Sequence, residues 1–173
     1  MIKLELTSDA VIFLRNRYDG VDRILNDVEL LKLKNYTRHK YTNTYDHSVR
    51  VAVGAAILAK LFKADVESAI RIALVHDMCF VNYYERNDHK GLYCFYHPVE
   101  AADNASKEFG LSVKECKDIR AHMFPLAVHI PFSREAWALT LSDKAIAIYE
   151  GTYGIRLLRR MLCYIGMQNL RAA

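Results

Sequence analysis

An isolated His47, the adjacent pair His76-Asp77 and the carboxylate of Asp143 are the residues whose types could do chemistry together. His76 and Asp77 follow the apolar run Ile72-Ala73-Leu74-Val75, and Asp143 closes Leu139-Thr140-Leu141-Ser142. Polar groups set among apolar neighbours must be paired, because an unpaired buried carboxylate costs several kcal/mol. A divalent metal is one economical partner for two acids and several imidazoles. Mixed His and Asp ligands suit Mn, Fe, Zn, Co or Ni better than Ca, with Mg as a harder alternative. Neighbours on a helix are about 100° apart, so His76 and Asp77 can converge on one ion at a helix edge. Taken singly, each histidine also reads as a cap or a surface group. The ordered set on three expected helices carries the information. Two more histidines stand beside expected helix ends: His97 before Pro98, and His122.

Helices must position those side chains, and the chain is built for helices. No proline precedes Pro98, and only Gly20, Gly54 and Gly91 interrupt that stretch. Periodicity predicts helices over 9–18 and 21–33, then a strong one from Thr44 as N-cap to Phe62. Asp65 is placed to cap a helix over 66–80. Residues 81–96 mix Asn, Asp, Gly and five aromatics without a period, which predicts an ordered loop. Helices follow over 98–109, 112–122, 133–150 and 153–169. Ser112 with Glu115 has capping-box spacing, and Ser133 supplies another N-cap. No segment alternates over a strand's length. The expectation is all-α.

Composition agrees and excludes much else. In 173 residues, 52% are hydrophobic and 25% charged, an ordinary globular balance sufficient for one domain with a real core. Twenty-four basic against twenty acidic side chains leave a net +4, too even to point to nucleic acid without a clustered patch. The opening Met1-Ile2-Lys3-Leu4-Glu5-Leu6 places an acid where a signal peptide carries its apolar run. No run reaches the roughly 18 apolar residues of a membrane span. Four cysteines show no CxxC spacing, and they read as reduced thiols of a cytoplasmic protein.

The segments Tyr45-Asp46-His47-Ser48-Val49-Arg50, Ala73-Leu74-Val75-His76-Asp77 and Leu141-Ser142-Asp143-Lys144 resemble the H…HD…D pattern of the HD-domain superfamily of metal-dependent phosphohydrolases. The likeness spans Tyr36 to Glu150. His97-Pro98 and His122-Met123-Phe124-Pro125 are similar to elements of small stand-alone bacterial members. The resemblance implies a compact single-domain helical bundle over 1–173, with core 36–150 and the helices 9–33 and 153–169 packed on it. It implies one metal held by His47, His76, Asp77 and Asp143. His97 and His122 match positions that hold a second metal in binuclear members, with Asp77 bridging; substrate contact or plain structure is the other reading. His39 resembles a family histidine preceding the first ligand, which implies a place facing the pocket as a substrate-binding residue, whereas His129 reads as a loop residue and His89 as solvent exposed.

In such a site the nucleophile would be a metal-bound hydroxide, with Asp77 orienting the water. Transition-state charge on a phosphate ester needs cations. Arg50, three residues after His47, and Lys144, beside Asp143, are the candidates for catalysis and substrate binding, ahead of Arg38 and Lys40. Tyr83, Tyr84, Tyr93, Phe95 and Tyr96 either stack on substrate or pack the loop down; a loop of this length often marks a lid. Met78-Cys79-Phe80 lacks the Gly and Lys that follow in cyclic-di-GMP phosphodiesterases of the superfamily. The leading expectation is a phosphohydrolase acting on a small phosphate ester or nucleotide, mono- or diester. The competitors are a di-iron oxygenase of the same ligand set and a non-catalytic sensor. Substrate, metal and oligomeric state stay open at this stage.

Overall fold

Helix starts follow the side chains that can satisfy otherwise orphaned backbone N–H groups. The computed structural model describes residues 2–16, 18–39, 42–81 and 91–151, with backbone alone at 2–6 and 38–39. Among them are α1 (Ile2–Arg15), α2 (Val21–Leu25), α3 (Val28–Lys32), α4 (Thr44–Phe62), α5 (Val66–Val75), α6 (Tyr93–Phe109), α7 (Val113–Arg120) and α8 (Arg134–Gly151). Asp65 accepts the Glu67 and Ser68 N–H groups at 3.0 and 3.1 Å and starts α5. Ser112 and Glu115 close a reciprocal capping box on α7. Ser133 accepts the Ala136 N–H at 2.8 Å before α8. The all-α expectation holds.

Several boundaries differ from expectation, each for a local reason. The single helix expected over 21–33 is broken at Asn26-Asp27, because Asp27 turns its carboxylate onto the Glu29 and Leu30 N–H groups and caps α3. The N-cap of α4 is Asn43 rather than Thr44: Asn43 accepts the Asp46 N–H at 2.8 Å. Thr44 instead donates its N–H and hydroxyl to the Tyr36 carbonyl at 2.9 and 3.2 Å. That closes a small antiparallel pair, β1 (Thr37–His39) with β2 (Thr42–Asn43). Strands this short have too few residues to show alternation. Helix α5 stops at Val75 and α7 at Arg120, leaving His76-Asp77 and His122 in the turns that follow. Helix α6 begins at Tyr93, so His97-Pro98 lies one turn inside it and not at its start. Tyr93, Phe95 and Tyr96 are therefore helical. The expected lid residues 82–90 and the expected helix 153–169 lie outside the described residues.

Helix α4 lies against both α5 and α8, with α1 also on it, while α6 pairs with α7. Its packing surface is small: Ala52, Ala55, Ala56 and Ala59 are all buried. Helix α8 approaches tightly at Gly54, where an added Cβ would meet Ser142 Oγ at 2.1 Å and Ser142 Cβ at 3.2 Å. Ser142 Oγ is itself committed, donating to the Val51 carbonyl at 2.8 Å. The start of α8 is tied down separately by Glu135, which accepts the Asp65 N–H at 2.9 Å and the Lys114 ammonium at 2.7 Å. Among the described residues, no helix is long and apolar enough to cross a membrane.

Gly54→Ala is expected to lower the melting temperature. Overpacking at such a contact costs about 1–3 kcal/mol, more than the ~1 kcal/mol that alanine gains over glycine in a helix. Because Ser142 adjoins Asp143, the same variant should also bind metal more weakly. Thermal melts of Gly54→Ala, Ser142→Gly and the double variant check this. The double variant should be more stable than the summed single losses; simple additivity would show that the two residues do not collide.

Candidate metal centre

Each candidate ligand sits where its element points it inward. His47 lies in the first turn of α4, one turn past its cap. His76 and Asp77 follow the last turn of α5, in a turn closed by the Met78 N–H to the Val75 carbonyl at 3.1 Å. His97 projects from α6, His122 from the turn after α7, and Asp143 from α8. The structure brings all six together. His47, His76, Asp77, His97 and His122 are fully buried and Asp143 is 5% exposed.

Asp77 stands at the middle of this cluster. Its Oδ2 lies 3.3 Å from His76 Nε2 and 3.8 Å from His47 Nε2. Its Oδ1 lies 3.5 Å from His97 Nε2 and 3.8 Å from His122 Nε2. Asp143 Oδ1 completes the first side, 3.1 Å from His47 Nε2 and 3.7 Å from His76 Nε2. Among the described residues, two groups of potential ligand atoms result, His47/His76/Asp143 and His76/Asp77/His122, each with its atoms within 4.8 Å of one another.

Hydrogen bonds on the far ring nitrogens define what the near ones can do. His76, His97 and His122 donate Nδ1–H to the carbonyls of Ala73, Tyr93 and Ile119, at 2.7 Å in each case. His47 donates Nδ1–H to Glu150 Oε2 at 2.8 Å. A carbonyl or carboxylate oxygen accepts only, so these tautomers turn all four Nε2 lone pairs toward the carboxylates. His97 Nε2 and His122 Nε2 lie 3.0 Å apart, a contact that two neutral acceptors cannot satisfy between themselves. Among the described residues, buried His76 Nε2 has no hydrogen-bond partner. Converging lone pairs and anionic oxygens are what a cation needs. The donor set fits a divalent transition metal.

The electrostatics point the same way. Burial alone would depress His76, but Asp77 and Asp143 outweigh it and lift its pKa to about 10. His47 is also raised, its burial overcome by the Asp143 and Glu150 carboxylates. Burial, together with neighbouring His76, pulls His122 down to about 4. Burial would raise Asp143, yet the His47 and His76 imidazoles, 3.1 and 3.7 Å from its Oδ1, hold it well below its usual range. The protein alone thus gathers protons on the side richest in carboxylate. An ion of charge two supplies that compensation without them.

The other sequence candidates are placed as follows. Arg50 reaches Glu150 Oε1 with Nη1, and its Nη2 donates to Thr7 Oγ at 2.9 Å. Lys144, half-buried, donates to the His122 carbonyl at 2.9 Å, and burial lowers its pKa against the opposing pull of Asp143. The His39 side chain, Arg38, Lys40 and His89 lie outside the described side chains, and His129 is exposed. Sequence reasoning missed Glu150, and it named Tyr93 only as a loop or substrate-stacking aromatic, whereas its ring stacks on His97 with centroids 4.3 Å apart. Glu150 did leave a signal: it is seven residues after Asp143, two helical turns on, and so shares its face.

The HD domain family matches residues 44–148, well over half of the chain. This protein belongs to the HD domain family. Its fold is also similar to the 1.45 Å crystal structure of a predicted HD superfamily hydrolase from an uncultured Thermotogales bacterium. The TM-score is 0.55 at 19% identity, covering 89% of this chain and 98% of that one. At that identity the likeness is one of fold. No curated protein matches the chain. Membership in the HD family, with two buried His/Asp clusters, supports a metal-dependent hydrolase.

Proposed function

We propose that this HD protein is a phosphohydrolase of small phosphate esters that works with two divalent transition-metal ions. His47, His76, Asp77 and Asp143 hold the first ion, and Asp77, His97 and His122 the second. The observation that carries this reading is the placement of the two Asp77 oxygens, each facing a different pair of imidazoles. When bound, such ions bring the pKa of a coordinated water toward neutrality and neutralise charge on both ends of a phosphoryl transfer.

The chain's own residues supply the geometry. Asp77 spaces the two sites and contributes negative charge to both. Burial of all six ligands keeps competing water from the carboxylates and strengthens every charge interaction there. Lys144, anchored on the His122 carbonyl, adds positive charge beside the second site. The fixed Nδ1–H donors keep each ring in the tautomer that can ligate.

The test starts from protein stripped of metal and reloaded with Mn, Mg, Co, Ni, Zn or Fe. Each form is assayed against a panel of phosphomonoesters, phosphodiesters and nucleotides. Phosphate release restored by a redox-inert metal supports the proposal. Oxygen consumption with iron and no phosphate release would replace it with the oxygenase reading, and metal binding without turnover would leave a sensor.

A further inference from the structure

The four inward-facing histidines are not braced alike. His76, His97 and His122 lean on carbonyls of their own helical turns, which are neutral and held by the backbone. His47 leans on a carboxylate, Glu150, which is 5% exposed and reaches it from α8. A carboxylate on the far nitrogen fixes ring orientation and raises the basicity of the ligating one. A second, largely covered partner then controls that carboxylate: Arg50 takes its other oxygen and is held in turn by Thr7 of α1. Arg50 also offsets the charge of Glu150 and occupies the oxygen that His47 does not engage.

Thr7 and Glu150 both fall outside residues 44–148, so the family match assigns neither. The chain Thr7–Arg50–Glu150–His47 joins α1, α4 and α8. We infer that Glu150 and Arg50 are positioning residues that set the cation affinity of the His47 site, and that Thr7 makes that affinity depend on how α1 seats on α4. This rests on the proposal that His47 is a ligand. It adds that Arg50 acts through His47 and not by touching substrate.

Co2+ titration of metal-stripped protein tests it, reading visible absorption bands, ions bound per chain and competition with a chelator. Glu150→Ala should weaken the His47 site about 10–100-fold and shift its bands, while the His97/His122 site keeps its affinity. Arg50→Met should act in the same direction, Arg50→Lys should recover part of the loss, and Thr7→Val should show a smaller loss. A role in stability alone would lower the melting temperature but leave the ratio of the two affinities unchanged. Wild-type protein that takes up no Co2+ would sink the metal reading itself. Wild-type protein that binds, with Glu150→Ala equal to it in affinity and spectrum, would sink only this inference. So would an Arg50→Met variant whose KM rises with metal affinity intact, since that marks substrate contact. Should Glu150→Ala lose its helical circular dichroism, Arg50→Lys and Thr7→Val decide: no change in either at the His47 site overturns the inference.

Discussion

Asp77→Asn is expected to strip both metal sites and to reduce kcat/KM by at least on the order of 10³-fold, with helix content near wild type. The amide has the size of the carboxylate, so packing around it survives. What changes is charge and lone pairs. One Asp77 oxygen faces His47 and His76, the other His97 and His122, so the new NH2 group must point at one side whichever way it turns. A donor aimed at a cation site repels the cation, and the loss of a full negative charge weakens the remaining side as well. Elemental analysis of metal per chain, with steady-state rates and far-ultraviolet circular dichroism, checks this. The effect should exceed that of any single histidine variant. Full occupancy and rate in Asp77→Asn would remove Asp77 from the ligand set.

His97→Ala and His122→Ala should each reduce bound metal from about two ions per chain to about one and lower the rate sharply, because the clamp on attacking and leaving oxygens is halved. Their Nε2 atoms sit 3.0 Å apart and near the same Asp77 oxygen, on the opposite side from His47. The competing role for these rings is direct contact with substrate phosphate. The two roles part in stoichiometry: constant metal content with a raised KM would assign them to substrate. Crystals grown in excess Mn that show one ion, with both imidazoles turned away from it, would also decide against a second site.

How far the site was legible depended on the reach of each signal. His76, Asp77 and Asp143 stood out because an acid or imidazole beside apolar residues implies burial with a partner, and His47 because it completes the ordered set on separate expected helices. His97 and His122 were visible beside expected helix ends, but their place at a second metal came only through resemblance, since neither sits in a pattern that implies burial. The aromatic run before His97 hid the first turn of α6: period counting finds no stripe in Tyr93-Cys94-Phe95-Tyr96. Its helical course shows only where Tyr93 lends its carbonyl and its ring to His97. Arg50 was singled out for its charge and its place one turn from His47. Its partners, Glu150 a hundred residues on and Thr7 in another helix, leave no mark in local spacing.

The sequence by itself determined the class of fold and the chemical types of the ligands. Helix caps and apolar periodicity act over a few residues, so Asp65, Ser112 and Ser133 announce their helices without reference to the rest of the chain. Only the tertiary structure decided how those ligands share their space. Which oxygen of Asp77 faces which ring follows from how α4, α5, α6 and α7 converge, and that Glu150 and not a carbonyl braces His47 follows from the approach of α8 to α4 near Gly54 and Ser142. That approach is set by long-range packing of buried small side chains, a contact energy that no local stretch of sequence contains.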